Sequence, residues 1–235
     1  MSEKIRSIVI DTLTALQEQQ YMRDSSKPGF DEWTDYGKMI YNIIDDLLNL
    51  GFEVILILGE PGTGKSSGMR TLPHNSNIFF NLDKKNPTWD GGIEEYGKKF
   101  SPRPRYHIIP TSYEEISDTL TRVKEAGAFE DEKFAILTAH TETYKVGNRT
   151  LERFKTLGKQ ATKMRVEGKL ENVFYSRAEM KGGKVDLILE TQNDGSNTAR
   201  AAQQGKFPPK ITNDYHYIIQ RLMGNKEAEQ TIYVP

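Results

Sequence analysis

The sequence contains no cysteine and only four histidines among its 235 residues. The lack of cysteine excludes disulfides, thiolate catalysis and cysteine-based metal sites, and four scattered histidines argue against a zinc site. No stretch approaches the roughly 18 apolar residues of a membrane span, and residues 1–11 contain no long apolar run. These absences predict a soluble, cytoplasmic protein with no membrane partner.

An excess of charge of either sign is also absent, because 32 Lys and Arg residues face 33 Asp and Glu residues and leave a net charge of −1. A strongly basic protein surface is therefore excluded, and any contact with nucleic acid must come from a local basic patch. Hydrophobic residues make up 36% of the chain, which is lean but above the content of a wholly disordered one. The length suits a single domain.

Apolar segments alternate with amphipathic helical patterns along the chain, which predicts an α/β protein whose mostly parallel sheet has helices on both faces. Helices are predicted over 36–50 and over 111–125, and residues 22–34 are predicted to form a loop. The tail is predicted to be irregular until 215–222. Strands are predicted at 5–11, 53–58, 77–83, 106–109 and 133–139, with a β-hairpin at 172–191.

Residues 59–66 read Gly-Glu-Pro-Gly-Thr-Gly-Lys-Ser, which is the GxxxxGK[ST] phosphate-loop pattern directly after an apolar strand. Backbone N–H groups of such a loop surround a β-phosphate, and a following helix presents its positive end to the anion. Lys65 is expected to contact the β- and γ-phosphates, and the Ser66 hydroxyl to bind Mg²⁺. The predicted nucleotide-binding residues are Gly59, Glu60, Pro61, Gly62, Thr63, Gly64, Lys65, Ser66 and Ser67.

Three further polar residues follow predicted strands and are candidates for the chemistry of a phosphate site. Asp11 ends the apolar strand 5–11 and is predicted to be the second metal ligand, with a simple helix N-cap as the alternative. Asp83 is a candidate for positioning the attacking water, and a turn aspartate is the alternative. His140 is a candidate for hydrogen bonding to the γ-phosphate, against an ordinary polar loop histidine.

Six segments together resemble one known family. They are GEPGTGKSS, NIFFNLDKK, RYHIIPTSYEEISDTL, SIVIDTLTALQEQ, FAILTAHTE and LETQNDGSNTARAAQQGKFPPKITND, and they cover most of the chain. With them the sequence resembles the RecA-like ATPases, and most closely the small phage proteins that bind ATP in recombination and single-strand annealing. The resemblance implies one ATPase domain over 1–235 that binds ATP and Mg²⁺, works on single-stranded DNA in the host cytoplasm and forms homo-oligomers.

The order of the segments departs from that family, in which the phosphate-loop strand precedes the Walker B strand. Here the Walker B strand lies in 1–52, the phosphate-loop half in 53–132, and the sensor strand, basic segment, hairpin and tail in 133–235. Compared with the family, the first half of each of two strands is joined to the second half of the other, at Ile55/Leu56 and at Ile136/Leu137. The change is therefore not a simple circular permutation. The nearly seamless joins favour an engineered rearrangement over a natural one.

The resemblance also implies which strands are neighbours. In the family the phosphate-loop strand lies beside the sensor strand, and the Walker B strand lies on the sensor strand's other side. We therefore expect strands 5–11, 53–58 and 133–139 to form one parallel sheet with 133–139 in the middle. Since strands two places apart are separated by roughly 10 Å, Asp11 is expected to lie within about 10 Å of Ser66.

A basic segment follows the sensor strand, where the family has a loop that meets single-stranded DNA. Residues 145–169 contain eight basic and two acidic residues, which suits sequence-independent binding to phosphates. A solvated helix face is the alternative. By analogy with the family, Arg200 could act as a charge-stabilising finger across a subunit boundary. The predicted DNA-binding residues are Arg149, Arg153, Lys155, Lys159, Lys163 and Arg165.

Two other functions are compatible with a phosphate loop, and a third lacks its motif. A small-molecule kinase would need a lid, for which 84–104 is the candidate segment. A non-catalytic scaffold would fold and at most bind nucleotide. A permuted GTPase would need an NKxD motif before the phosphate loop, and none is present there.

Overall fold

The computed structural model describes residues 4–23, 30–73, 76–84, 107–156, 166–203 and 205–230. Its helices are α1 (Leu13–Arg23), α2 (Phe30–Asn49), α3 (Tyr113–Glu125) and α4 (Tyr215–Leu222), with 3-10 helices at Lys65–Thr71 and Val166–Lys169. Its strands are β1 (Ile5–Asp11), β2 (Phe52–Leu58), β3 (Asn77–Asn81), β4 (His107–Ile108), β5 (Phe129–Ala139), β6 (Thr141–Val146), β7 (Arg149–Phe154), β8 (Asn172–Lys181), β9 (Lys184–Glu190) and β10 (Lys210–Thr212). The protein is therefore an α/β protein.

Eight of these strands form one mixed, mostly parallel sheet in the order β10-β9-β8-β2-β5-β1-β3-β4. Neighbouring strands are parallel from β8 to β4, whereas β9 is antiparallel to both β8 and β10. The expectation that β5 lies between β1 and β2 in a parallel sheet is confirmed. Leu137 of β5 is in register with Ile10 of β1 and with Leu56 of β2, so the carboxyl ends of the three strands share one edge.

The central strands lie in the interior of the protein, and their residues are mostly apolar. Residues 54–58 of β2 and 8–11 of β1 are all buried, as is typical of parallel sheets. Helix α2 packs against β2 and buries Ile40, Ile44 and Leu47, which recur at the spacing of one helical face. Helix α3 begins as predicted, because the Ser112 side chain accepts a hydrogen bond from the Glu115 N–H.

Two helical segments were not predicted. Helix α1 follows β1 directly, and α2 begins at Phe30, so the predicted loop over 22–34 is wrong at 22–23 and 30–34; residues 24–29 lie outside the described part of the chain. The buried residues of α1 are the five consecutive positions 13–17. Only the first part of α1 is buried, so its buried residues do not recur every three or four positions. The sequence therefore lacks the periodic pattern from which a helix is predicted.

The second half of the chain contains two β-hairpins. The predicted hairpin at 172–191 is confirmed as β8 and β9, joined at Gly182-Gly183. The basic segment begins within a second hairpin, β6 and β7, so the alternative interpretation as a helix face is wrong over 145–154; residues 157–165 lie outside the described part of the chain. Gly147-Asn148, between two runs of alternating residues, is the turn signal that could have predicted it. None of the helices in the described ranges is long and apolar enough to cross a membrane.

Candidate functional site

The loop between β2 and the first 3-10 helix is closely fixed to its surroundings. The Gly59 N–H donates to the Ala139 carbonyl over 3.2 Å, which ties the start of the loop to the end of β5. A Cβ at Gly59 would lie 2.7 Å from Thr63 Oγ1 and 2.8 Å from the Ser176 carbonyl oxygen, so a larger residue does not fit. Gly64 has a φ of 82°, in the left-handed region that favours glycine. The structure therefore explains why glycine occupies the first and the last glycine positions of the pattern.

Lys65 folds back over this loop. Its Nζ donates to the carbonyl oxygens of Gly59 and Glu60, both at 2.9 Å, and the residue is only 7% exposed. The ammonium is thus held at the loop itself, where it can neutralise a bound anion. Among the other loop residues, Glu60, Pro61 and Gly62 are exposed and Ser67 is buried.

Asp11 lies beside the end of the loop. The Ser66 hydroxyl donates to Asp11 Oδ2 over 2.5 Å, and the Thr138 hydroxyl donates to Asp11 Oδ1. The expected proximity of Asp11 and Ser66 is confirmed, although 55 positions separate them in the chain. Residues from β1, from β5 and from the segment after β2 therefore meet at one edge of the sheet.

The carboxyl group of Asp11 lies in a surrounding that disfavours its charge. Burial raises the pKa of Asp11 above its usual range, and the nearby charge of Asp83 raises it further. Hydrogen bonds from Ser66 and Thr138, together with the charge of Lys65, lower this pKa but only in part. A cation beside Asp11 would stabilise the charged form.

The donor set consists of oxygen atoms, which suit a hard cation such as Mg²⁺. The described residues contain no group of three or more His, Asp or Glu side chains that could hold a metal. The pair Asp11 and Ser66 offers one carboxylate and one hydroxyl oxygen. Mg²⁺ is commonly bound in this way, by one or two protein carboxylates with phosphate oxygens and waters completing its shell.

Asp83 and His140 reach the same edge of the sheet. Asp83 lies two residues beyond the end of β3, and its N–H donates to the Asp11 carbonyl over 3.4 Å. His140 follows β5, and its N–H donates to Thr14 Oγ1 over 3.0 Å. Burial lowers the pKa of His140 and the charge of Lys65 lowers it further, while Asp83 acts in the opposite direction. Burial and the charge of Lys65 therefore favour the neutral imidazole.

The helix predicted after the phosphate loop differs from the expectation. Lys65–Thr71 is a 3-10 helix of 7 residues, so a helix does follow the loop but in the tighter 3-10 form, and support of an anion by its positive end stays a prediction. The tail contacts this segment, where the Asn213 side-chain amide donates to the Gly64 carbonyl and the Tyr215 hydroxyl donates to the Lys65 carbonyl. Side chains thus bond carbonyls at the point where an α-helix would begin.

Several residues of the site were not predicted from sequence. Besides the two tail residues, Ser176 of β8 donates to the Thr63 carbonyl over 2.7 Å, and Thr138 bonds Asp11. A hydroxyl residue near the end of an apolar strand is a signal that could have found Thr138. No local signal marks the tail residues, since Tyr215 lies 150 positions from the carbonyl that it contacts.

Gly68 provides a test of the contact between the tail and the 3-10 helix. A Cβ at this position would lie 2.4 and 2.5 Å from two ring carbons of Tyr215. Because that ring is fully buried, Gly68→Ala is expected to lower the free energy of unfolding by about 1–3 kcal/mol, the usual cost of overpacking. Gly168→Ala is the matched control, since nothing lies within 4 Å of its Cβ position. Equal unfolding midpoints in urea for the two variants would contradict this packing.

The predicted DNA-binding residues have different surroundings. Arg149 is exposed, whereas Arg153 donates to Glu142 Oε1 over 2.8 Å and lies 4.3 Å from the centre of the Tyr144 ring. The Lys155 N–H donates to the His140 carbonyl over 2.8 Å. The remaining three, Lys159, Lys163 and Arg165, lie outside the described residues.

Arg200 is bound within its own chain. Its guanidinium donates to the carbonyl oxygens of Leu170 and Glu167, and its backbone pairs with Val173. These contacts join the tail to the start of β8. They give Arg200 a structural function in this chain, and its action across a subunit boundary stays a prediction.

A scan against models of known protein families finds no match, and a search of curated proteins finds no significantly similar sequence. The fold class therefore rests on the chain itself. It is an α/β fold with a mostly parallel mixed sheet, compatible with a Rossmann or a RecA-like arrangement.

Proposed function

We propose that this protein binds and hydrolyses ATP in a RecA-like site and acts on single-stranded DNA. The observation that carries the proposal is the hydrogen bond between Ser66 and Asp11. It brings the phosphate loop and a buried acid at a strand end together across the end of β5, as a Mg²⁺–phosphate site requires. The strand order β2-β5-β1 supports the same conclusion, since the resemblance implied it despite the changed order of motifs.

The residues of the loop have complementary functions in this proposal. Lys65 neutralises the phosphate charge with its ammonium, and the glycines let backbone N–H groups approach the phosphate oxygens. Ser66 and Asp11 hold Mg²⁺. When bound, Mg²⁺ neutralises charge on the β- and γ-phosphates during transfer.

Asp83 and His140 are proposed to act on the reacting end of ATP. Asp83, fixed next to Asp11 through its backbone, orients the attacking water with its carboxylate. Burial and Lys65 lower the pKa of His140 and favour its neutral form, which can hydrogen bond to the γ-phosphate without losing or gaining a charge. The two residues follow the ends of different strands, β3 and β5, of the same sheet.

The hairpin β6–β7 is the proposed contact with single-stranded DNA. It follows His140 directly, and the Lys155 N–H bonds the His140 carbonyl at the hairpin's other end. Lys145 and Arg149 are exposed near its turn. Cations in such a position supply phosphate contacts without sequence preference.

Replacing these two cations tests the DNA contact. Lys145→Gln with Arg149→Gln is expected to weaken binding to single-stranded DNA and to reduce the log–log salt slope by about 0.7 per lost phosphate contact. Lys181→Gln with Lys184→Gln, at the exposed turn of the other hairpin, is the matched control. An unchanged slope in the first variant, measured by fluorescence anisotropy at several salt concentrations, would show that the β6–β7 turn does not meet DNA.

ATP turnover with and without single-stranded DNA separates the candidate functions. The proposal predicts Mg²⁺-dependent hydrolysis that DNA stimulates. Phosphate transfer to a small acceptor, with no response to DNA, would favour a kinase. ATP binding without turnover under either condition would favour a scaffold.

A further inference from the structure

The segment after the phosphate loop is bonded to the C-terminal tail at three points. The Asn213 side-chain amide donates to the Gly64 carbonyl, and the Tyr215 hydroxyl donates to the Lys65 carbonyl. At the other end of the 3-10 helix, the His216 N–H donates to Thr71 Oγ1 over 3.1 Å. The tail therefore spans the whole 3-10 helix, and we call these three bonds the tail contact.

The tail contact involves the carbonyls that an α-helix would use. In an α-helix beginning at Lys65, the Gly64 and Lys65 carbonyls would accept from the N–H groups four residues later. Here the Gly64 carbonyl accepts from the Ser67 N–H, three residues later, over 2.9 Å, and also from Asn213. The tail side chains therefore satisfy both carbonyls in the 3-10 conformation.

The packing around Tyr215 leaves little room for independent movement. Its side chain is fully buried, and Gly68 accommodates the ring because it has no Cβ. Tyr215 is also the first residue of α4, whose N-cap Asp214 accepts from the Tyr217 N–H over 2.8 Å. A shift of the backbone at Gly64 and Lys65 must therefore move Tyr215 or break its hydrogen bond.

We propose, on the basis of the proposed nucleotide site, that Asn213 and Tyr215 are positioning residues that set the backbone of the phosphate loop at Gly64 and Lys65. They touch no reacting atom. They act through two carbonyls whose residues carry the loop's last glycine and its lysine. ATP binding is consequently coupled to the conformation of α4, and the coupling is reciprocal: a conformational change of α4 that alters ATP affinity by a given factor is itself favoured or disfavoured by bound ATP by the same factor.

The first test measures ATP affinity by titration calorimetry in the presence of Mg²⁺. Tyr215→Phe leaves the Lys65 carbonyl without this partner and is expected to weaken ATP binding about tenfold, as loss of a buried hydrogen bond permits. Tyr217→Phe is the matched control, because it removes a hydroxyl from the same helix at a residue that packs against the Phe207 ring. Asn213→Ser removes the donor to Gly64 from outside α4. If Tyr215→Phe does not fold, the ATP affinity of Asn213→Ser tests the proposal in its place.

The second test distinguishes positioning from a merely structural function. In the wild-type protein, ATP is expected to slow hydrogen exchange of the amides of α4, and Tyr215→Phe is expected to reduce this protection. Equal ATP affinity of wild type, Tyr215→Phe and Asn213→Ser, or exchange in α4 that ATP does not change, would overturn the coupling. If the wild-type protein does not bind ATP, the proposed function fails and the coupling fails with it.

Discussion

Lys65→Ala is expected to abolish ATP binding and to reduce any ATP turnover by at least about 10²–10³-fold, the usual effect of removing one preorganised charge or donor from a transition state. The reason is the position of the ammonium, which lies at the loop on the carbonyls of Gly59 and Glu60 and is nearly buried. Without this ammonium, the negative charge of a bound phosphate is no longer neutralised at the loop. ATP binding by calorimetry and phosphate release are the measurements.

Two further variants control for damage to the loop. Lys65→Met keeps the length of the side chain but removes its charge, and is expected to lose ATP binding as completely. Lys38→Met removes an exposed lysine that pairs with Asp35 on α2, and is expected to leave binding unchanged. Turnover like that of the wild type in Lys65→Ala would place the site elsewhere.

Asp11→Asn is expected to have opposite effects on stability and on function. In the folded protein burial raises the pKa of Asp11 above the ordinary value of 3.8. Between that value and the raised one, the folded state binds more protons than the unfolded state, so the contribution of Asp11 to stability falls as pH rises. Asparagine has no charge to bury, and it can still bond the hydroxyls of Ser66 and Thr138, which both donate and accept.

The variant should therefore unfold at a higher temperature than the wild type at pH 7, with a smaller difference near pH 4. Its Mg²⁺-dependent ATP affinity should fall at least about tenfold, since even outer-shell partners of a metal are worth 10–100-fold. Thermal unfolding at several pH values and ATP titrations with Mg²⁺ or with EDTA check both effects. A less stable variant would contradict the cost of burying the Asp11 charge, and equal loss of affinity with and without Mg²⁺ would contradict its metal function.

Much of the central sheet could be predicted from the sequence. The strands β1 and β2 are apolar and buried on both sides, so their bounds were predicted to within one residue. The strand β3 ends at Asn81, two residues before the predicted end at Asp83, because polar chain at a strand end gives no sharp signal. The short edge strand β10 was not predicted, since three residues carry no recognisable alternation.

The candidate site was predictable where its residues belong to a local pattern. The phosphate loop and the acid at the end of β1 follow apolar strands, and parallel strands bring their carboxyl ends to one edge. The conformation after the loop could not be predicted in the same way. This segment contacts Tyr215, whose hydrogen bond to the Lys65 carbonyl joins residues 150 positions apart in the chain.

The most direct test of a shared Mg²⁺–ATP site is a double-mutant cycle on Asp11 and Ser66. ATP affinity in the presence of Mg²⁺ is measured for the wild type, Asp11→Asn, Ser66→Ala and the double variant. Because both side chains are proposed to hold the same ion, the double variant is expected to lose much less binding free energy than the sum of the single losses. Losses that add, with no interaction energy between the two positions, would contradict a single site formed by Asp11 and Ser66.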